Sequence, residues 1–259
     1  MTKPIAGDVD YSKSGIGYAQ QRRPDPRIEA LIHAALGDAR TVLNVGAGAG
    51  SYEPRDRHVI AIEPSETMRK QRPRDLVPAI NGRAEALPLD DASVDASMAI
   101  VTVHQWHNLE AGLRELRRVT RGPIVVVGFD GDALARFWLA DYVPELVAAG
   151  KLRDPAIDYL VDRLSTPKRR ATVRTVPIPI DCVDGVVEAY YARPERFLDP
   201  DVMRAQSTWN FVAEDVKRRF VETLAADLRS GEWDRRYGAW RTMPCYEGAM
   251  RIIVGGEAG

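Results

Sequence analysis

The sequence predicts an α/β fold in which a mostly parallel sheet carries helices on both faces, and three observations lead there. Short apolar runs alternate with amphipathic stretches of helical length, the pattern of repeated strand–helix–strand units. One run, Ile124-Val125-Val126-Val127, is apolar throughout, as a central parallel strand buried on both sides must be. A glycine-rich loop, Gly46-Ala47-Gly48-Ala49-Gly50, directly follows the first run, where an open sheet of this kind forms its ligand-binding edge.

The elements follow in order. Asp25-Pro26 opens a helix over residues 26–36, with Ile28, Leu31, Ile32 and Ala35 on one face and Gly37 behind it. Residues 41–45 form a buried strand stopped by glycines, and residues 58–62 a second. Residues 66–72 make a short helix ended by Pro73, and residues 76–80 a third strand interrupted by Pro78. After the Asp90-Asp91 turn, residues 94–101 form another strand. Leu109, Leu113, Leu116 and Val119 mark one helix face, and residues 123–128 are a β-branched strand. Past Asp130 the pattern changes: residues 137–164 read as mostly helical and aromatic-rich. Residues 173–181, with Pro177 and Pro179, read as an edge strand, because proline cannot donate to a ladder. Residues 184–234 are largely helical, and residues 246–254 close the chain as a strand expected to pair antiparallel with the edge strand.

The chain has 259 residues, a formal net charge of -1, 45% apolar and 28% charged residues, an ordinary globular profile. The near-neutral charge argues against a nucleic-acid partner. The basic runs Lys168-Arg169-Arg170, Lys217-Arg218-Arg219 and Arg235-Arg236 read as solvated helix faces. Cys182 and Cys245 make no metal-ligand spacing and read as separate thiols in a reducing compartment; no metal is expected. Residues 1–10 lack an apolar signal segment and no run is long enough to span a bilayer, so the expectation is a cytoplasmic protein without membrane insertion.

The loop carries the sharpest chemistry. Glycines at alternate positions let backbone approach a ligand without an intervening Cβ. Only residues 51–57 separate the loop from the second strand, too few for the full helix of a parallel crossover. A dinucleotide's pyrophosphate wants a well-formed helix N-terminus behind the glycines, so a nicotinamide-dependent oxidoreductase is the weaker alternative. Glu63 ends the second strand, where a carboxylate accepts from both hydroxyls of a ribose, followed by a Pro64-Ser65 turn. Ala84 and Glu85 fall at the next strand edge, and Val103-His104-Gln105-Trp106-His107-Asn108 at the end of the fourth strand.

In this order and spacing, these motifs resemble the class I S-adenosylmethionine-dependent methyltransferases, in particular the ubiquinone/menaquinone-methyltransferase-like (type 11) group. The resemblance covers residues 41–130 and implies a Rossmann-like, seven-stranded sheet with an antiparallel last strand and S-adenosyl-L-methionine as cofactor. It implies that Asn44, Gly46, Ala47, Gly48 and Gly50 line the methionine and ribose, and that Glu63 binds the ribose hydroxyls. Pro64 and Met68 flank the adenine, Ala84 and Glu85 lie near its edge, and Val101 to His104 pass under the sulfonium. Asn44 stands where the family often has an acid, and the short crossover is a second departure, with Tyr52 and Glu53 candidates to fill the missing helix's place. In similar enzymes a segment ahead of the first helix folds over the cofactor. Here Tyr11, Tyr18 and Arg23 are the candidates, against the reading of a frayed tail.

The implied function is methyl transfer to an O or N atom of a small molecule; a catalytically silent S-adenosylmethionine-binding protein is the other alternative. A general base is needed only if the acceptor carries a proton at attack. Of the four histidines, His33 and His58 read as structural or exposed, whereas His104 and His107 reach the expected crevice. His104 reads as base, as orienting group or as packing, and His107 as a second catalytic candidate or a helix cap with Asn108. Trp106, Phe137, Trp138, Tyr142 and Tyr190 are candidates to contact the acceptor, against the reading that they pack the added helices. The expected organisation is a lid segment and first helix over 1–37, a core over 38–182, a mainly helical insertion over 183–245 that shapes the acceptor pocket, and a closing strand over 246–259.

Overall fold

A computed structural model describes residues 21–256 of the chain. The strands are β1 (Thr41–Val45), β2 (His58–Ile62), β3 (Ala96–Ile100), β4 (Pro123–Phe129), β5 (Thr172–Thr175), β6 (Ile178–Pro179), β7 (Cys245–Tyr246) and β8 (Met250–Gly256). The α-helices are α1 (Pro26–Ala35), α2 (Glu66–Lys70), α3 (Leu109–Val119), α4 (Gly131–Leu134), α5 (Leu139–Tyr142), α6 (Pro144–Arg153), α7 (Ile157–Leu164), α8 (Pro200–Arg204), α9 (Glu214–Ser230) and α10 (Glu232–Tyr237).

Six strands form the main sheet in the order β2-β1-β3-β4-β8-β5, and β6 pairs with β7 separately. The first four are parallel, while β8 runs antiparallel to both β4 and β5. The last two main-sheet strands therefore pair antiparallel with the helical stretch between them, as the sequence predicts. The strand order reverses between β1 and β3, which opens a crevice beyond their carboxyl ends.

The implied seventh strand is reduced to one bridge. Ile80 pairs with Ile62 at the outer edge of β2: Ile80 N–H donates to Ala61 O (2.8 Å) and Glu63 N–H to Ile80 O (3.0 Å). Pro78, two residues earlier, has no N–H to extend that ladder. Two other expected strands are split. Residues 173–181 divide into β5 and β6 at Val176-Pro177, and residues 246–254 divide into β7 and β8. A Cβ on Gly248, between β7 and β8, would lie 2.0 Å from Glu188 Oε1, so the backbone passes that carboxylate too closely for any side chain.

Strand alternation sorts the core into two clusters. Along β4, Val125 and Val127 enter one cluster, and Ile124 and Val126 the other. The second cluster takes Leu113, Leu116 and Val119 of α3 with Leu160, Val161 and Leu164 of α7. The first takes Ile28, Ile32 and Leu36 at the α1 face, together with the aromatic side chains of the C-terminal helical layer. Leu31, expected on the α1 apolar face, is instead exposed, and Leu36 continues the buried line at four-residue spacing. Each such aliphatic side chain contributes about 1.5–3 kcal/mol by leaving water. Among the described residues no helix is long and apolar enough to cross a membrane.

Candidate active site

The loop after β1 is shaped by its glycines. Gly46 has φ +71°, and a Cβ there would sit 2.0 Å from Thr102 Oγ1, just past β3. The N–H groups of Gly46 and Ala47 both donate to Ile62 O (2.9 and 3.0 Å), folding the loop back over the end of β2. Gly48 N–H donates to Glu63 Oε2 (2.8 Å), and Ser65 N–H to Glu63 Oε1 (2.7 Å). Each carboxylate oxygen thereby keeps a lone pair, the acceptor set for two neighbouring hydroxyls. Burial pushes the Glu63 acid up from its ordinary range, opposed by those two N–H donors and by Arg69 and Arg72.

Behind the loop, buried Asn44 Nδ2 donates to Glu53 Oε1 (2.9 Å), and Arg72 pairs with Glu53 Oε2 (2.7 Å). Asn44 Oδ1 is buried and accepts from no group among the described residues. Tyr52 takes the left-handed backbone (φ 65°), which turns its ring inward to donate from the hydroxyl to Asp184 Oδ2 (2.8 Å). His33 Nε2 meets the Tyr52 carbonyl at 3.0 Å. Tyr52 and Glu53 thus occupy the space of the missing crossover helix with a polar network.

The adenine-side candidates gather unevenly. Met68 is buried with its Cε 3.4 Å from where a Gly48 Cβ would stand, whereas Pro64 is exposed. Ala84 is buried, and Glu85 Oε1 accepts from Asn108 N–H (3.0 Å) at the start of α3. Val101 adopts φ 51°, unusual for a β-branched residue, and its N–H donates to Val127 O (2.8 Å).

A 3-10 turn over Val103–Gln105 carries His104 into a cavity of about 60 Å³. Val101, Phe129, Leu134, Leu146, Val186 and Val187 give it apolar walls, and Arg22, His104, Asp154, Gln206, Ser207 and Thr208 supply polar groups. His104 Nδ1 lies 3.4 Å from Asp154 Oδ1. Gln105 Nε2 donates to His104 Nε2 (3.1 Å), an arrangement that puts the ring proton on Nδ1. Burial, then the charges of Arg153 and Arg22, drives the imidazole well below its ordinary range, while burial pushes Asp154 up to about 7.

Several candidates lie elsewhere. His107 is exposed beside Arg83, and Asn108 alone caps α3, its Oδ1 accepting from Ala111 N–H. Trp106 packs between Ala84 and Gly112 in the second cluster, away from the cavity. Phe137, Trp138, Tyr142 and Tyr190 fill the joint between the sheet and the helical layer; Trp138 meets Tyr142, Phe197 and Trp233 edge-on. Such large rings bury most area where two layers meet, so packing claims them. Arg23 is exposed, and its neighbour Arg22 lines the cavity, paired with Asp184 at 2.6 Å. Tyr11 and Tyr18 lie outside the described residues. Asp154, Gln206, Ser207 and Thr208 reach the cavity from elements distant in sequence, with no local motif to mark them.

The likenesses to known proteins run along these same elements. A family profile described as a methyltransferase domain matches residues 43–123. An uncharacterized methyltransferase of Mycobacterium tuberculosis is 33% identical over 116 residues, 42% of this chain and 46% of that protein. Malonyl-[acyl-carrier protein] O-methyltransferase of Erwinia pyrifoliae is 38% identical over 99 residues, 35% of this chain and 37% of that protein. The chain thus spans less than half the length of these curated relatives. A crystal structure of a putative methyltransferase from an antibiotic biosynthesis pathway of Anabaena variabilis superposes with a TM-score of 0.84 at 33% identity, covering 91% of this chain and 99% of that one.

Proposed function

The chain belongs to the class I S-adenosylmethionine-dependent methyltransferases, and from that premise we propose that it transfers a methyl group to an oxygen or nitrogen of a small molecule held in the cavity beside His104. The observation that carries this reading is the joint held by the Gly48 N–H and the Glu63 carboxylate.

The residues present fit the cofactor. The left-handed glycines leave room along the loop, Glu63 keeps two lone pairs for a ribose diol, and the buried Asn44 Oδ1, without a donor among the described residues, is free to accept from an ammonium. Met68 and Ala84 offer apolar contact to an adenine. S-adenosylmethionine, when bound, supplies an electrophilic methyl group on its sulfonium. The protein's part is to position the acceptor and exclude water, so the apolar cavity walls grip it with its reacting atom beside His104 and Asp154. The segment over 183–245 supplies Val186, Val187 and Gln206 to 208 to that cavity, in keeping with an insertion that shapes the acceptor pocket. The name of the Erwinia relative describes an O-methyltransferase, which favours an oxygen acceptor.

Thermal unfolding with millimolar S-adenosylhomocysteine and, separately, NAD tests the reading. A rise in midpoint with the homocysteine compound alone supports it. No rise, or a rise with NAD alone, removes it.

A further inference from the structure

We propose that Asp154 is the proton acceptor of the reaction and that His104 is the residue that positions and polarises it, the two working as one dyad in the wall of the acceptor cavity. The inference rests on the methyl-transfer reading above and adds to it the route taken by the acceptor's proton.

The two side chains come from unrelated elements. His104 stands on the 3-10 turn beyond the carboxyl end of β3, and Asp154 follows the last turn of α6, its N–H donating to Gly150 O at 2.8 Å. Their side chains are only 6% and 13% exposed, they approach to 3.4 Å, and both line the cavity. A carboxylate at a helix C-terminus faces the negative end of the backbone dipoles, and burial adds to that penalty. Apolar side chains like the neighbouring Val101, Phe129, Leu134 and Leu146 would close this part of the wall at lower cost than a buried ionisable pair, and Arg22, Gln206, Ser207 and Thr208 bring further polar groups to the same cavity. Two titratable groups that converge on a cavity, each moved from its ordinary range by burial, are the arrangement from which proton-transfer sites are built.

The charged and polar groups around the pair set its protonation. Arg22 lines the cavity and is paired with Asp184, Arg153 precedes Asp154 on α6, and Gln105 donates to His104 Nε2. Gln105 leaves the ring proton on Nδ1, the nitrogen next to Asp154 Oδ1, so the basic site left to the pair is the carboxylate. The acid form of Asp154, raised to about 7, persists to neutrality; above that the dyad is free to accept.

The step then balances. The acceptor oxygen or nitrogen forms its bond to the methyl carbon, and the carbon–sulfur bond breaks with its electron pair left on sulfur as a neutral thioether. The acceptor's proton passes to Asp154 and leaves to water after product departs. This arrangement suits an acceptor that arrives as a hydroxyl or amine still carrying its proton. A carboxylate acceptor needs no base and would be repelled by one.

The test is a ring-nitrogen NMR titration of the full chain labelled at its four histidines, with His104→Gln identifying the His104 signals. The result expected is a neutral ring protonated at Nδ1, whose shifts move through a single midpoint near 7 in the native protein. They should stay flat from acid to alkaline pH in Asp154→Asn. Asp154→Ala serves the same purpose if circular dichroism finds the asparagine variant unfolded. No transition in the native protein, or one that survives replacement of Asp154, overturns the dyad. Calorimetry with S-adenosylhomocysteine is run beside it: absence of heat there removes the methyl-transfer reading, while a flat His104 titration with normal heat removes only the dyad.

Discussion

Glu63 accepts from Gly48 and Ser65 at once, and this places one carboxylate between holding the loop and meeting a ligand. Glu63→Gln leaves one oxygen acceptor and introduces an N–H₂ group facing an N–H donor. We expect S-adenosylhomocysteine affinity to fall roughly 10- to 100-fold, the size of a lost charge-assisted hydrogen bond, with calorimetry as the check. Gly46→Ala meets both a left-handed backbone and Thr102 Oγ1. Denaturant unfolding should find it destabilised by about 2–4 kcal/mol. At this scale the loop was legible because an unusual backbone conformation leaves its mark in composition, as glycine. Glu63 was legible because strand ends can be counted. Asp154 was not: it lies fifty positions from His104, and no rule of spacing connects a helix end to a strand end across that distance.

The helix α1 and the loop before β2 are joined to the 184 region through Tyr52. Its hydroxyl donates to Asp184 and accepts from Asp25 N–H (3.4 Å), while Asp184 holds Arg22. Tyr52→Phe removes that junction and leaves buried Asp184 with one partner fewer. Thermal unfolding should report a loss of about 1–3 kcal/mol. The entrance to β8 makes a pH prediction. Both oxygens of fully buried Glu188 accept from Ala249 N–H (2.7 and 2.9 Å), and burial pushes its acid up to about 7 from an ordinary 4.5. The folded chain therefore keeps this proton to higher pH than the unfolded chain. The stability it confers is present at acid pH and declines as pH rises from about 4.5 to about 7. Glu188→Gln should flatten that decline by on the order of 3 kcal/mol across a series of unfolding curves; the remaining slope belongs to other carboxyls, Asp154 among them. Strand prediction at this scale erred where proline or a close approach intervened: Pro78 thinned the outer strand to a bridge, and Gly248 opposite Glu188 interrupted the last one. The first of these follows from a missing donor visible in the sequence, the second from a neighbour sixty positions away.

As a whole the molecule is a parallel half, residues 41–129, joined to a helical layer that covers one face of the sheet. The parallel half was readable because its strands are short, largely apolar runs, with Asn44 and Ser97 the polar exceptions within β1 and β3, and because each turn announces itself. The layer was readable only as helical, since its 3-10 turns and short helices are held by ring-to-ring contacts between distant positions such as Trp138 with Trp233 and Phe197 with Trp209. Binding at the sheet edge should steady both parts together. Saturation with S-adenosylhomocysteine at about 100 times its dissociation constant should raise unfolding free energy by about 2.7 kcal/mol, read from shifted denaturation midpoints. The partition of rings has an optical corollary. Trp138, Trp209, Trp233 and Trp240 all belong to the layer's side of the sheet, and Trp106 alone sits beneath α3. Intrinsic emission from this protein is therefore weighted towards the covering layer: a red shift that precedes loss of the far-ultraviolet dichroism would reveal the cover lifting while the strands beneath it stay zipped.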